Sequence, residues 1–158
     1  MPTRGEIEYV KPLSTRRMDD AVALKDRVTE RTGALDYPRS GVEDHYRAFT
    51  DLLHVAPDGS LDGFAVVKPT GYVSLLAVDP SEWRRGVGSE LVDAVSEGSG
   101  VVSLHVREDN KRARRFYEAQ GFQQVDRLAD HYDDGGNALL MRRWGDTFLG
   151  GVMEALSE

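Results

Sequence analysis

Cysteine is absent from this chain of 158 residues. Its absence excludes disulfides, thiolate metal ligands and a covalent cysteine mechanism. A long apolar run is missing too, as is the basic–apolar–small pattern of a signal peptide, so the chain reads as soluble and cytoplasmic, with no membrane partner. Lysine is scarce: 27 acidic residues face 20 basic ones, mostly arginine, for a net charge of −7. Such a balance disfavours general nucleic-acid binding, because a phosphate backbone is held chiefly by clustered cations. An acidic, lysine-poor surface suits high ionic strength, where like charges are screened over a shorter distance, and gives the expectation of a halophilic source. It also draws cationic amines. His45, His54 and His131 show no metal-ligand spacing, and no metal is expected. No repeat or low-complexity linker interrupts the chain. With 40% hydrophobic residues, residues 1–158 suffice for one domain with a real core.

The most informative segment present is Tyr72 to Val95, YVSLLAVDPSEWRRGVGSELVDAV. An apolar strand passes through Asp79-Pro80 into Arg84-Arg85-Gly86-Val87-Gly88 and then into a helix with Val87, Leu91, Val92 and Val95 on one face. The first N–H groups of a helix lack intrahelical partners and carry the positive end of its dipole, so an anion is stabilised there. Glycines at 86 and 88 let the backbone approach a phosphate, and Arg84 and Arg85 add charge-assisted donors. A dinucleotide fold needs a third glycine and an acidic residue after the next strand, and a Walker loop needs Gly-Lys-Ser/Thr; neither occurs. A second segment, Val101 to Phe122, reads as a β-branched strand, an Asp109-Asn110 cap, a helix through Gln120 and a stop at Gly121. Asn110, Ala113 and Tyr117 share one stripe of that helix, the two ends separated by about 10.5 Å, enough to line an extended ligand.

Together these segments resemble the GNAT-type N-acetyltransferases. Their acetyl-CoA loop follows the pattern Gln/Arg-x-x-Gly-x-Gly/Ala, here with Trp83 at the first position. Their second cofactor segment is matched by Asn110 through Phe122. The resemblance implies an α/β (α+β) fold with a mixed, mostly antiparallel central sheet flanked by helices on both faces. It implies acetyl-CoA as cosubstrate, held by Leu76, Ala77, Val78, Arg84, Arg85, Gly86, Val87, Gly88, Ser89, Asn110, Arg112 and Tyr117. Trp83 is expected to pack against the loop. In the family the tyrosine matched by Tyr117 protonates the departing thiolate. The oxyanion is assigned to a main-chain N–H at Ala77 or Val78. Arg107, Lys111, Arg112, Arg114 and Arg115 form a basic cluster suited to the cofactor's nucleotide phosphates.

Two further pieces resemble the ribosomal-protein-alanine and N-terminal acetyltransferase branch. Asp130 to Arg143 carries the turn signal Asp133-Asp134-Gly135-Gly136 between strand-like runs, similar to a hairpin that covers the incoming peptide amine. Tyr132, His131 and Tyr37 are the candidate substrate contacts. Leu104-His105-Val106-Arg107 is similar to a Leu-Glu-Val-Arg segment whose Glu is the general base. His105 takes that position, and an imidazole near pKa 6.5 suits the role. Alternation sets Ser103 and His105 on the strand face opposite Val102, Leu104 and Val106.

The rest reads as a strand over Ile7–Pro12, helices over Met18–Arg31 and Val42–Leu52, strands over Leu53–Ala56, Gly63–Val67 and Tyr72–Val78, and a last helix over Asp146–Ser157. The expected activity is acetyl transfer to a protein or peptide amine, preferentially an N-terminal one, by a monomer or homodimer. A small amine such as a polyamine, amino acid or antibiotic is the alternative acceptor. A non-catalytic acyl-CoA-binding module is the alternative class.

Overall fold

Two antiparallel sheets and four α-helices make up residues 5–145, the part of the chain that the computed structural model describes. They belong to two compact units. One takes residues up to Pro69 together with Val73–Val95, and the other takes Thr70–Tyr72 together with residues from Ser96 onward.

The first unit contains β1 (Glu6–Val10), α1 (Met18–Thr32), α2 (Arg39–Ala48), β2 (Thr50–Val55), β3 (Leu61–Val67), β4 (Val73–Val78), a 3-10 turn at Pro80–Glu82 and most of α3 (Val87–Gly98). Its strands pair antiparallel in the order β1-β2-β3-β4. Ala21, Leu24 and Val28 recur at helical spacing and bury against the sheet, while Asp19 and Asp20 begin α1 and Arg31 ends it, matching the helix dipole. Gly33 stops the helix in the left-handed region at φ 76°, donating its N–H to Thr29.

Helices cover both faces of this sheet. Phe64 and Val66 of β3 join the core formed with α1, Val42 and Tyr46. Gly63 points the opposite way, where a Cβ would lie 3.0 Å from Val87 and 3.1 Å from Leu91 of α3. Glycine is what lets α3 lie this close.

One element differs from the sequence expectation. The second helix spans Arg39–Ala48 rather than Val42–Leu52, and Thr50 to Leu52 belong to β2. Pro38 starts the helix earlier, its fixed φ being compatible with a helix entry. Asp51 hides the strand: a carboxylate amid apolar residues reads as a solvent-facing helical position, yet here it is fully buried.

The second unit contains β5 (Val101–Arg107), α4 (Lys111–Ala119), β6 (Gln123–Leu128) and β7 (Ala138–Trp144), with sheet order β5-β7-β6, both pairs antiparallel. Tyr72 makes an isolated parallel bridge to Ser103. Val102, Leu104 and Val106 are buried and Ser103 and His105 half-buried, as the alternation requires. Asn110 caps α4, its side chain accepting from Ala113 N–H at 3.1 Å, a bond worth about 1 kcal/mol. The expected β6–β7 hairpin is present. The expected C-terminal helix over 146–157 lies outside the described residues.

Candidate active site

Each unit carries part of the set of residues singled out in the sequence. In the first, the 3-10 turn hands the chain from β4 to α3 through Arg84 at φ 65° and Gly86 at φ 89°. A Cβ at Gly86 would meet nothing within 4 Å, so the glycine serves the backbone twist and leaves the approach open. The first turn of α3 closes with Glu90 N–H donating to the Gly86 carbonyl at 2.9 Å. The N–H groups of Val87, Gly88 and Ser89 therefore precede the intrahelical ladder, as an anion site demands. Arg84 and Arg85 are exposed beside them, Arg85 within 3.7 Å of Glu82.

The end of β4 sorts its own amides. Asp79 N–H donates to Asp62 of the β3 side at 2.7 Å, and Ala77 pairs with Phe64. Groups two residues apart on an antiparallel strand point the same way, so Ala77 also addresses β3, while Leu76 and Val78 direct their N–H groups to the free edge of this sheet. Of the two candidates for the oxyanion donor, Val78 has the available orientation. Its carbonyl, on the same edge, accepts from Trp83 Nε1 at 2.9 Å, and the Arg31 guanidinium lies 6.0 Å from the Trp83 ring. Trp83 thus ties the loop to the strand end. Tyr37 lies in this unit, half out in solvent, its carbonyl accepting from buried Lys25 at 2.9 Å.

The second unit gathers His105, His131 and Tyr132 into one aromatic cluster. The imidazoles of His105 and His131 stack with centroids 4.9 Å apart, and Tyr132 meets His131 edge-on at 4.9 Å. Arg107 holds this arrangement, its guanidinium 4.0 Å from the Tyr132 ring centroid and 3.0 and 3.1 Å from the Asp134 carboxylate oxygens. Asp134 in turn accepts from Gly136 N–H at 2.9 Å, shaping the loop turn. The sequence reading missed Tyr72, whose hydroxyl lies 2.6 Å from His105 Nδ1. The signal that could have found it is its bridge to Ser103, two residues before His105 on β5, which only pairing reveals. Burial and the neighbouring charge of His131 hold His105 below the usual imidazole value.

Tyr117 is buried on α4 with Phe116 and Phe122 at ring distances of 5.1 and 5.4 Å, and burial pushes its phenol up. Asn110 spends its side-chain oxygen on the helix cap and keeps its amide donors. The basic cluster is divided. Arg107 serves the hairpin and Arg114 donates to the Glu108 carbonyl at 2.9 Å, while Arg112 and Arg115 are exposed.

The acetyltransferase (GNAT) family model matches residues 31–122, more than half of the chain. The chain belongs to this family. Among GNAT relatives, it is 34% identical over 85 residues to the peptidyl-lysine N-acetyltransferase YiaC of Escherichia coli, covering 54% of this chain and 58% of that protein. It is 35% identical over 95 residues to the N-alpha-acetyltransferase RimI of Mycobacterium tuberculosis, covering 54% and 60%. The chain thus spans at most about three fifths of the length of these two relatives. Ard1 from Thermoplasma volcanium superposes with a TM-score of 0.67 at 29% identity, covering 90% of this chain and 99% of that one. GNAT acetyltransferases use acetyl-CoA. The open Gly86 turn with its row of leading amides fits a diphosphate.

Proposed function

We propose that this GNAT chain is an acetyl-CoA-dependent N-acetyltransferase whose acceptor is a protein or peptide amine, preferentially an N-terminal α-amine. The observation that carries the reading is the cluster in the second unit, where half-buried His105 stacks on His131, which in turn meets Tyr132, and is bonded through Nδ1 to the Tyr72 hydroxyl. An ammonium must lose a proton before its nitrogen can attack, and His105 is basic near neutrality and kept uncharged by its surroundings. Tyr132 and His131 line the acceptor's approach. Names of relatives support the acceptor class, N-alpha and peptidyl-lysine enzymes both occurring among them.

Acetyl-CoA supplies the thioester carbonyl. The N–H groups from Gly86 to Ser89, with Arg84 and Arg85, hold its diphosphate in this reading, and Asn110, Arg112 and Leu76 touch its length. Val78 N–H points at the oxygen that gains charge during transfer. Tyr117 keeps its proton throughout the neutral range because burial disfavours the phenolate, as an acid for a thiolate must.

Released coenzyme A should be measured with peptides of varied first residue, the same peptides N-terminally blocked but carrying lysine, and small amines such as spermidine. Turnover confined to free N-termini is expected. Turnover only on spermidine-like amines would transfer the reading to a small acceptor, and no turnover on anything despite tight acetyl-CoA binding would leave a binding module. Tyr117→Phe removes one hydroxyl and leaves the ring packed between Phe116 and Phe122, and kcat is expected to fall about 100-fold with little change in thermal midpoint. Wild-type kcat in that variant would remove the acid role. Trp83→Phe loses one hydrogen bond to Val78, so the KM for acetyl-CoA should rise about fivefold, the equivalent of roughly 1 kcal/mol. An unchanged KM would show that the indole tie does not hold the loop.

A further inference from the structure

His54 lies near the end of β2 with its side chain 4% exposed, and both ring nitrogens face carboxylates. Nε2 bonds to Glu90 Oε2 from α3. Nδ1 has no hydrogen-bond partner and stands 3.5 Å from Asp62 Oδ2 of β3. Just before β1, Gly5 covers the ring edge so tightly that a Cβ there would collide with Cε1. The wider surroundings are acidic: Glu82 and Asp58 both act on Asp62, whose carboxyl is raised above the usual range chiefly by burial. The acetyl-transfer reading uses none of these groups.

Glu90 sits in the first turn of α3, and its own N–H is the first to find an intrahelical carbonyl, that of Gly86. A carboxylate in a helix's first turn is drawn to the unpaired N–H groups there by the dipole and by hydrogen bonding. Those are the groups a diphosphate needs. A free Glu90 would compete for them and repel the ligand. The bond to His54 turns the carboxylate toward the sheet instead.

We propose that His54 and Glu90 are positioning residues for the coenzyme diphosphate, holding the Glu90 carboxylate off the leading amides of α3, and that diphosphate binding draws a proton into the His54–Glu90–Asp62 cluster. The inference rests on the assignment of the Gly86 loop to coenzyme A. A further anion brought near two carboxylates favours the protonated form of the group between them. The imidazolium can then donate from Nε2 to Glu90 and from Nδ1 toward Asp62, whereas a neutral ring carries one N–H and serves one of them.

Isothermal titration with dephospho-coenzyme A tests this, because that ligand keeps the diphosphate and lacks the 3′-phosphate monoester that itself titrates near neutrality. Titrations at pH 7.5 in buffers of different ionisation enthalpy read net proton uptake directly. Uptake is expected in the wild type and should vanish in Glu90→Gln, whose half-exposed site makes it a mild change. His54→Gln should weaken affinity about fivefold, as one charged competitor is released near the site. In turnover, His54→Gln should raise the KM for acetyl-CoA more than it lowers kcat. Binding without proton uptake, or uptake unchanged in Glu90→Gln, overturns the inference and leaves the loop assignment standing. No binding of dephospho-coenzyme A to the wild type overturns both.

Discussion

His105→Ala is expected to lower kcat/KM for a peptide acceptor by about two to four orders of magnitude, the usual contribution of a positioned proton acceptor. Affinity for acetyl-CoA, measured by titration, should change little, because the coenzyme's proposed anchors lie elsewhere in the chain. The wild-type pH profile carries a second check. Burial and the stacked His131 both disfavour the imidazolium, so His105 titrates below the ordinary imidazole value of about 6.5. Activity should therefore be on its plateau at pH 7 and decline on acidification only below that value. A profile that keeps rising through pH 7 to 8, or an alanine variant within tenfold of wild type, would take the base role away from His105.

The Tyr72 hydroxyl decides which face of His105 works. If the phenol donates to Nδ1, Nε2 must carry the ring proton and cannot accept another. If Nδ1–H donates to the phenol oxygen, Nε2 presents its lone pair, and the imidazolium formed on proton uptake keeps the same bond. Base function requires the second arrangement. Stacking on His131 fixes the ring plane, and Arg107 fixes the loop that carries His131 by gripping Asp134 and Tyr132. The hairpin and the histidine are therefore one mechanical piece of the second unit, and Tyr132 reaches its place through the same residue, Arg107, that follows His105 on β5 by two positions.

Local signals in the chain were enough to locate the loop, α4 with its Asn110 cap, the alternation of β5 and the hairpin. Each rests on spacing within about a dozen residues: glycines before a periodic helix, an amide side chain before Lys111, β-branched residues at period two. The missed features all depend on partners distant in sequence. Tyr72 meets His105 only through strand pairing, and His54 finds Glu90 only once α3 lies over Gly63. The shift of α2 has the same origin. Residues Thr50 to Leu52 carry no strong turn or strand mark of their own, and β1 and β3 on either side are what make them a central strand. The choice between Ala77 and Val78 likewise required the β3–β4 register, since hydrogen-bond direction alternates along a strand without leaving any trace in residue type.

Asp51 is the residue whose replacement should most stabilise the fold. It is fully buried on β2, in register with Val10 and Val66, and neither carboxyl oxygen has a hydrogen-bond partner. Burial pushes its carboxyl up to about 8. The direction of the pH dependence follows from that inequality. With the folded value above the unfolded one of about 3.9, the folded chain binds one more proton between the two. The contribution is intact below about pH 4 and is lost as pH rises toward 8, at roughly 1.4 kcal/mol per pH unit. By pH 7 the accumulated cost is about 4 kcal/mol. Asp51→Asn removes the titration while keeping the shape, so urea unfolding across pH 5 to 8 should show the wild type losing stability relative to the variant with that slope. Asp51→Val replaces an unpaired polar group by one that suits a strand between two valines, and at pH 7.5 it should exceed the wild type by several kcal/mol. Parallel wild-type and Asn curves would mean that the carboxylate is satisfied in solution by a water or a cation, and the cost assigned to its burial would then be wrong.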